Sequence, residues 1–391
     1  MKIVADANIP LLAEAFGPLG EVAALPADRI TPESVADADA LLVRSVTRVG
    51  ADLLDSSRVR FVATATIGLD HIDQAYLAER GIGFASAQGS NARSVAEYTL
   101  AAMSVVAARR RVRMTGQVLG IVGVGNVGGH LARMAETLGM TVLRNDPPLA
   151  RETGDTCYLP LDALADADVV TFHVPLTREG PDATFHMIDA SLLARLAEGV
   201  TLINTSRGAV ADTKALKAAI ASGSLGPVVL DVWENEPTID TELLRRADLA
   251  TPHVAGYSYD GKVNGTRMVL EALCRHFRLE REWDPTPVMP PPPHPYVALP
   301  AGLTVDEAVR GAMLAAYDVE ADDARLREMA GVPDEQRGDY FRSLRSRYPV
   351  RREFPHTTVE LAAPDPQVEA ALRALGFRVE HVPSGRETAE P

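Results

Sequence analysis

Residues Leu119–Gly128 read LGIVGVGNVG and combine an apolar run with a glycine-rich turn. Leu119–Val122 predicts a buried strand, and Gly123, Gly125 and Gly128 follow it with the spacing of a dinucleotide-binding turn. The first glycine permits the tight turn, the second lets the backbone approach a pyrophosphate, and the third lets a helix pack on the strand. The stretch therefore predicts a Rossmann-type domain whose helix N-terminus faces the phosphates of a cofactor.

An acidic residue beyond the next predicted strand indicates which dinucleotide this turn binds. Asp146 lies 18 residues after Gly128 and comes soon after the predicted strand Thr141–Leu143. A carboxylate at this place can hydrogen-bond the adenosine ribose of NAD and would repel the 2′-phosphate of NADP. Arg144, two residues earlier, is the one feature that favours NADP. We predict NAD as the cofactor.

The rest of the chain shows the same alternation of strands and helices. Short apolar runs alternate with helical stretches through the first hundred residues and again from Leu119 to Ala250, and this βαβ rhythm predicts parallel sheets. Two long helices, expected at residues 91–110 and 259–281, could carry the chain between two lobes. We predict an α/β fold with two Rossmann-like doubly wound lobes, one for the substrate and one for NAD, and a small C-terminal α/β domain.

A proline-rich stretch separates that last domain from the rest. Seven of the eleven residues from Pro285 to Pro295 are proline, a composition that cannot continue a helix and favours a stiff spacer. The predicted boundaries are residues 1–92 and 257–284 for a discontinuous substrate-binding lobe, 93–256 for the NAD-binding domain, 285–296 for the linker, 297–383 for the C-terminal domain and 384–391 for a tail.

Composition argues against several classes of protein. The 391 residues include 39 Lys and Arg against 53 Asp and Glu, a net charge of −14, which disfavours a broad nucleic-acid-binding surface. The two cysteines, Cys157 and Cys274, belong to no ligand pattern, so we expect no disulfide framework and no metal. No run of about 18 apolar residues occurs, and the chain opens on a predicted strand, not a signal peptide. We predict a cytoplasmic protein without membrane or nucleic-acid partners.

Three strands of the second series end in residues suited to acid–base chemistry. Arg207 follows the predicted strand at 200–203, Glu236 the one at 228–232, and His253 the one at 249–250. Parallel strands present their carboxyl ends at one edge, where open α/β sheets bind ligands, so these side chains could converge. A guanidinium fork suits a substrate carboxylate, a histidine suits proton transfer near neutral pH, and an adjacent carboxylate would orient the ring.

The order of these motifs resembles the D-isomer-specific 2-hydroxyacid dehydrogenases. The similar segments are GVGNVG at 123–128, NTSRG at 204–208, DVWENEP at 231–237 and PHVAG at 252–256. The resemblance implies that Arg207 binds the substrate carboxylate and the reacting oxygen, and that His253 is the acid–base with Glu236 as its partner. The substrate contacts that it implies are Ser45, Thr66 and Tyr257. The cofactor contacts that it implies are Asn126, Val127, Asp146, Val174, Thr205, Ser206, Arg207, Asp231 and Gly256.

Further motifs are similar to family members that oxidise a four-carbon 2-hydroxy acid carrying a 4-phosphate, in pyridoxal phosphate synthesis. They are VRSVT at 43–47, ATAT at 63–66, DHID at 70–73 and HVAGY at 253–257. The C-terminal domain resembles the dimerisation domain of these members and implies a homodimer. The substrate phosphate needs a cation, and we expect Arg44, with Arg48 nearby, because both flank Ser45 just after a predicted strand. The acidic stretch 317–323 makes a phosphate contact from the C-terminal domain less expected.

Two other functions stay open. Another D-2-hydroxyacid dehydrogenase, such as one acting on 3-phosphoglycerate, would share the fold and the catalytic residues, because these do not fix the substrate. Some proteins with this scaffold are NAD-responsive corepressors that bind peptides, and the acidic charge and substrate-lobe motifs argue against that function here. His173 also follows a strand, but it lacks a matching acid and arginine, so we expect a structural or cofactor-wall role.

Overall fold

The computed structural model describes residues 1–381. The chain divides into two compact units, residues 1–92 with 258–290, and residues 93–257 with the chain from 291 onward. The predicted tail at 384–391 and the last two residues of the predicted C-terminal domain, 382 and 383, lie outside the described residues. The division into three domains at the boundaries given above stays a prediction.

Strands and helices alternate along most of the described chain. The strands are β1 (Lys2–Asp6), β2 (Glu21–Leu25), β3 (Ala40–Val43), β4 (Phe61–Thr64), β5 (Gly83–Ser86), β6 (Val118–Val122), β7 (Thr141–Asn145), β8 (Val169–Phe172), β9 (Val200–Asn204), β10 (Leu225–Leu230), β11 (Leu249–Ala250), β12 (Tyr296–Leu299), β13 (Thr358–Leu361) and β14 (Arg378–His381). The helices are α1 (Leu12–Phe16), α2 (Pro32–Val35), α3 (Ala51–Leu54), α4 (Gln74–Glu79), α5 (Ala92–Arg110), α6 (Asn126–Thr137), α7 (Pro147–Thr153), α8 (Ala190–Leu193), α9 (Thr213–Ser222), α10 (Thr241–Arg246), α11 (Tyr259–Phe277), α12 (Val305–Ala316), α13 (Val319–Arg327), α14 (Arg337–Ser346) and α15 (Pro366–Ala374).

The first unit is built on a parallel sheet in the order β2-β1-β3-β4-β5. The apolar runs of β3 and β4 are buried at every position, as expected for central strands covered on both faces. The sequence did not predict β2, which pairs with β1 along its whole length. This edge strand is partly exposed, although Val22–Leu25 is a short apolar run.

The second unit contains a parallel sheet in the order β11-β10-β9-β8-β6-β7. Strand β6 pairs with β7 on one side and with β8 on the other, so the strand order reverses beside β6. Ligands of open α/β sheets bind beyond the carboxyl ends of the strands at such a reversal. The predicted doubly wound α/β arrangement is confirmed, and it places the glycine-rich turn at the reversal.

The C-terminal part has its own parallel sheet in the order β12-β13-β14. Strand β12 begins at Tyr296, the last residue of the predicted linker. Neither β12 nor α13 was predicted, because β12 is defined by pairing with β13, some sixty residues later in the chain. Helix α11 ends at Phe277, before the predicted Arg281, because Arg278 adopts a left-handed conformation with φ of 55°.

Buried polar bonds join this C-terminal part to α5 within the second unit. Arg351 donates to the carbonyl oxygen of Ser94 at 2.7 Å, and the Ser94 hydroxyl donates to Glu353 at 2.7 Å. The backbone N–H of Phe354 donates to the carboxylate of Glu97 at 3.1 Å. These partners are almost completely buried, so the segment 351–354 is part of the interior. Within residues 1–381, no helix combines the length and apolar character required to cross a membrane.

Candidate active site

The glycine-rich turn has the shape that a bound dinucleotide requires. Gly123 has φ of +85°, and a Cβ atom there would lie 2.6 Å from the carbonyl oxygen of His173. A Cβ atom on Gly128 would lie 2.1 Å from the carbonyl oxygen of Gly123, because α6 packs closely on the turn. No atom lies within 4 Å of the corresponding position on Gly125, which directly precedes α6. A pyrophosphate therefore fits against Gly125 and the N–H groups that open the helix at Asn126 and Val127.

Asp146 is fixed beside this turn. It directly follows β7, where one carboxylate oxygen accepts a hydrogen bond from the Val124 N–H at 2.8 Å. The other oxygen accepts from the Leu149 N–H at 3.0 Å and caps α7. Arg144, which had favoured NADP, pairs with Glu136 at 2.6 Å. The carboxylate next to the glycine turn thus supports the prediction of NAD.

His253 and Glu236 form a hydrogen-bonded pair. The His253 Nδ1 lies 2.8 Å from Glu236 Oε2, and the Trp233 N–H donates to Glu236 Oε1 at 2.8 Å. Burial opposes ionisation of Glu236, but the charge on His253 and these hydrogen bonds outweigh it, so the pKa of Glu236 lies below its ordinary value. The ionised carboxylate therefore holds the proton on Nδ1. The Nε2 atom makes no hydrogen bond with any residue from 1 to 381 and is available for proton transfer.

The backbone around His253 is held by Asp231, which directly follows β10. The buried Asp231 carboxylate accepts hydrogen bonds from the Thr251 hydroxyl at 2.7 Å, the Val254 N–H at 2.8 Å and the Ala255 N–H at 3.0 Å. Its backbone oxygen accepts from the His253 N–H at 2.7 Å, and His253 has φ of +59°. Burial raises the pKa of Asp231, against the opposing effects of the His253 charge and the hydrogen bonds. Asp231 thus fixes the backbone of the histidine loop, residues 251–255. Its predicted contact with the cofactor stays a prediction.

Arg207 lies on a loop that is braced internally and packed against the Glu236 loop. The Asn204 side chain accepts from the Ser206 N–H at 3.0 Å and donates to the Arg207 carbonyl oxygen at 3.1 Å. A Cβ atom on Gly208 would lie 1.9 Å from the backbone of Trp233. The loops that carry Arg207 and Glu236 are therefore in close contact, as their positions after β9 and β10 predict.

His173 is held between two threonine hydroxyl groups. Its Nε2 lies 3.0 Å from the Thr171 hydroxyl and its Nδ1 lies 3.0 Å from the Thr205 hydroxyl. Burial lowers the pKa of His173 to about 3, so the ring is uncharged at neutral pH. This agrees with the expected structural or cofactor-wall role, next to Val174 and the glycine turn.

The substrate residues predicted in the first unit follow neighbouring strands of its sheet. Arg44 and the exposed Ser45 come directly after β3, and Thr66 comes two residues after β4. The Thr66 hydroxyl lies 2.7 Å from the hydroxyl of Thr64, which in turn lies 3.1 Å from His71 Nε2. The carboxyl ends of β3 and β4 share one sheet edge, so this edge offers a hydroxyl-rich surface with a cation.

Several residues of the site gave no signal in the sequence. Asn204, Thr251 and Tyr98 support the loops, with the Tyr98 hydroxyl 2.7 Å from that of Thr251, but such residues are common in any chain. Arg345 of α14 lies against Tyr257, with its guanidinium carbon 5.4 Å from the ring centroid. Only the fold brings these residues together.

The comparison with known proteins agrees with this geometry. Residues 92–255 match the family model for the NAD binding domain of D-isomer specific 2-hydroxyacid dehydrogenases, and residues 288–376 match a domain of unknown function. The erythronate-4-phosphate dehydrogenase of Marinobacter nauticus is 49% identical, over 97% of this chain and 100% of that protein. The chain belongs to the erythronate-4-phosphate dehydrogenase family. The family member of Salinibacter ruber is 47% identical, over 97% of this chain and 99% of that protein.

Solved structures of other dehydrogenases have a fold similar to that of this chain. A D-lactate dehydrogenase of Aquifex aeolicus, solved with NAD and lactic acid, is 25% identical and has a TM-score of 0.58, over 71% of this chain and 95% of that chain. As a member of the erythronate-4-phosphate dehydrogenase family, the chain is an NAD-dependent 2-hydroxyacid dehydrogenase. The predictions of an enzyme and of NAD are confirmed, and a corepressor is not supported.

Proposed function

We propose that the protein uses NAD to oxidise 4-phospho-D-erythronate to (R)-3-hydroxy-2-oxo-4-phosphooxybutanoate, a step toward pyridoxal 5′-phosphate. The observation that carries this proposal is the His253–Glu236 pair beside the Arg207 loop, in a chain that is similar over nearly its whole length to erythronate-4-phosphate dehydrogenases. The chemistry of the pair fits the oxidation of a hydroxyl group next to a carboxylate.

His253 acts as the base in this proposal. Bound NAD supplies the acceptor for the hydride that leaves C2 of the substrate. The Nε2 atom of His253 takes the proton of the C2 hydroxyl group, while Glu236 at 2.8 Å from Nδ1 stabilises the resulting imidazolium. In the reverse direction the same Nε2 proton returns to the carbonyl oxygen.

Arg207 binds the substrate carboxylate and the C2 oxygen. Its guanidinium group donates one hydrogen bond to the Ser206 carbonyl oxygen at 2.8 Å, which leaves further N–H donors for the substrate. A fixed cation at the C2 oxygen stabilises the negative charge that develops there as the proton leaves. The Asn204 hydrogen bonds keep the Arg207 backbone in place for this role.

The remaining predicted residues receive supporting roles. We assign substrate contacts to Ser45, Thr66 and Tyr257, and a phosphate contact to Arg44. We assign cofactor contacts to the glycine turn with Asn126 and Val127, to Asp146, and to Val174, Thr205, Ser206, Arg207, Asp231 and Gly256. If Arg44 binds the phosphate, then Arg44→Ala should weaken the binding of 4-phospho-D-erythronate more than the binding of D-erythronate. Equal weakening of both would remove Arg44 from that role.

Product detection by mass spectrometry tests the reaction directly. Purified protein is mixed with NAD, a 2-oxoacid as electron acceptor, and either 4-phospho-D-erythronate or 3-phosphoglycerate. We expect the 2-oxo product from 4-phospho-D-erythronate alone. Measuring product and not free NADH makes the result independent of how tightly the cofactor is held.

Two variants test the assigned roles in the same assay. His253→Ala should abolish turnover, and Glu236→Gln should lower kcat by roughly 100-fold because the histidine loses its charged partner. Oxidation of 3-phosphoglycerate instead would agree with the proposed chemistry but contradict the proposed substrate. If neither compound is oxidised, the proposal is overturned.

We also propose a cytoplasmic homodimer that associates through the predicted C-terminal domain. Both cysteines are free thiols, which suits a reducing compartment. Tyr296 and Val350 are exposed apolar residues of the C-terminal part, and exposed apolar groups favour association. The double variant Tyr296→Glu, Val350→Glu should sediment as a monomer, whereas Val112→Glu, an exposed control outside this part, should not. A double variant that still dimerises would contradict the assignment.

A further inference from the structure

Arg345 is an arginine close to the catalytic pair. Its side chain is half-buried on α14, and its Nε is completely buried with no hydrogen-bond partner. Its guanidinium group takes part in no hydrogen bond or ion pair with any of residues 1–381. Buried polar groups are normally satisfied, and a guanidinium group carries five N–H donors. An unsatisfied cation of this kind is suited to an anion that the protein itself does not supply.

The position of Arg345 relative to the site is well defined. Its guanidinium carbon lies 5.4 Å from the centre of the Tyr257 ring, and its charge acts on the Glu236 carboxylate. It forms no ion pair with Glu236, whose carboxylate oxygens accept from the Trp233 N–H and pair with His253. The cation therefore lies beside the catalytic pair without neutralising it.

Packing of α14 holds Arg345 in this place. Phe341, one helical turn earlier on the same face, is buried in the hydrophobic cluster that contains Trp233. The Tyr340 hydroxyl donates to the Arg325 carbonyl oxygen at 2.7 Å. The ring of Tyr348 packs edge-on against Tyr257, with centroids 5.6 Å apart. Helix α14, which carries Arg345, therefore belongs to the same hydrophobic cluster as Trp233, a residue of the loop that carries Glu236.

We propose that Arg345 is a substrate-binding residue that holds the phosphate of the substrate, alongside Tyr257. This inference rests on the proposed function, since the second anion that Arg345 would bind is the phosphate of the proposed substrate. Arg207 is assigned to the carboxylate and Arg44 to the phosphate, and a phosphate group has enough acceptor oxygens to bind a second arginine besides Arg44. A guanidinium fork can bind a phosphate with two parallel hydrogen bonds. The C-terminal part then determines which 2-hydroxy acid is accepted, despite the acidic stretch at 317–323.

Comparison of phosphorylated and unphosphorylated ligands tests this assignment. In wild type and Arg345→Ala, kcat/KM is measured for 4-phospho-D-erythronate and for D-erythronate. Binding of both is also measured by calorimetry with NAD in a His253→Ala background, where no turnover interferes. We expect Arg345→Ala to lower kcat/KM for 4-phospho-D-erythronate by roughly 100-fold, mainly through a higher KM. The kcat/KM for D-erythronate should change by less than about threefold. Arg345→Lys should recover part of the loss.

Arg342→Ala supplies the matched control. Arg342 lies on the same helix, is exposed and pairs with Asp339. Its replacement should therefore leave the binding of both ligands unchanged. Equal weakening of the binding of both ligands by Arg345→Ala would show that Arg345 acts on the site without contacting the phosphate, and would overturn the phosphate assignment. Unchanged binding of 4-phospho-D-erythronate would overturn it as well. If wild type neither binds nor oxidises 4-phospho-D-erythronate, the proposed function fails first and this inference falls with it.

Discussion

Replacing Glu97 with glutamine should change how the stability of the protein depends on pH. Glu97 lies on α5 and is completely buried. Its carboxylate accepts hydrogen bonds from Arg93 Nε at 2.8 Å and from the Phe354 N–H at 3.1 Å. Burial, reinforced by the nearby carboxylate of Glu353, nevertheless raises the pKa of Glu97 to about 8. The folded protein therefore keeps this carboxyl protonated at pH values where the unfolded chain ionises it.

The size of the effect follows from proton linkage. Between the unfolded value of 4.5 and the folded value of about 8, the folded state binds one more proton than the unfolded state at this group. The free energy of unfolding therefore falls as pH rises, by about 1.4 kcal/mol per pH unit. From about pH 5.5 to about pH 7.5 this amounts to about 3 kcal/mol. Glutamine has no proton to lose, so the variant should gain this amount relative to wild type over the same interval.

Urea denaturation followed by circular dichroism at several pH values measures the difference. Glu136→Gln is the control, because Glu136 forms a surface pair with Arg144 and such pairs contribute little to stability. The free energy of Glu97→Gln minus that of wild type should rise with pH, while the control difference stays nearly constant. A difference for Glu97→Gln that does not change between about pH 5.5 and about pH 7.5 would refute the reasoning.

Three further substitutions test the contacts of the site. Gly208→Ala should destabilise the protein by about 2 kcal/mol or more and lower kcat, because its Cβ atom would lie 1.9 Å from Trp233. Gly331→Ala is the control, because a Cβ atom there would meet open space. Thermal denaturation and steady-state kinetics should show a loss of stability and of kcat for Gly208→Ala and no change for the control. Asp231→Asn should lower the free energy of unfolding in urea by about 1–3 kcal/mol, because the amide nitrogen replaces one of the two carboxylate oxygens and cannot accept the hydrogen bond of the backbone N–H that it faces. An unchanged value would contradict this. Asp146→Ser should reduce the ratio of kcat/KM for NAD to that for NADP by roughly tenfold, and an unchanged ratio would remove Asp146 from cofactor choice.

The sequence alone determined the features that depend on short stretches of chain. The glycine turn at 123–128 and the strand before it require particular residues at adjacent positions, so both are visible in the sequence. Arg207, Glu236 and His253 each follow a buried apolar run, and parallel strands bring such ends to one edge of a sheet. For this reason the α/β fold and the three candidate catalytic residues could be predicted without coordinates.

Tertiary structure decided the features that depend on residues far apart in the chain. Strands β2 and β12 are established by pairing with β1 and β13. The Asp231 carboxylate holds the histidine loop, burial keeps Glu97 protonated, and α14 brings Arg345 to Tyr257. Burial, charge and hydrogen bonding are properties of the surroundings of a side chain, and those surroundings are assembled from the whole fold, so no single stretch of sequence contains them.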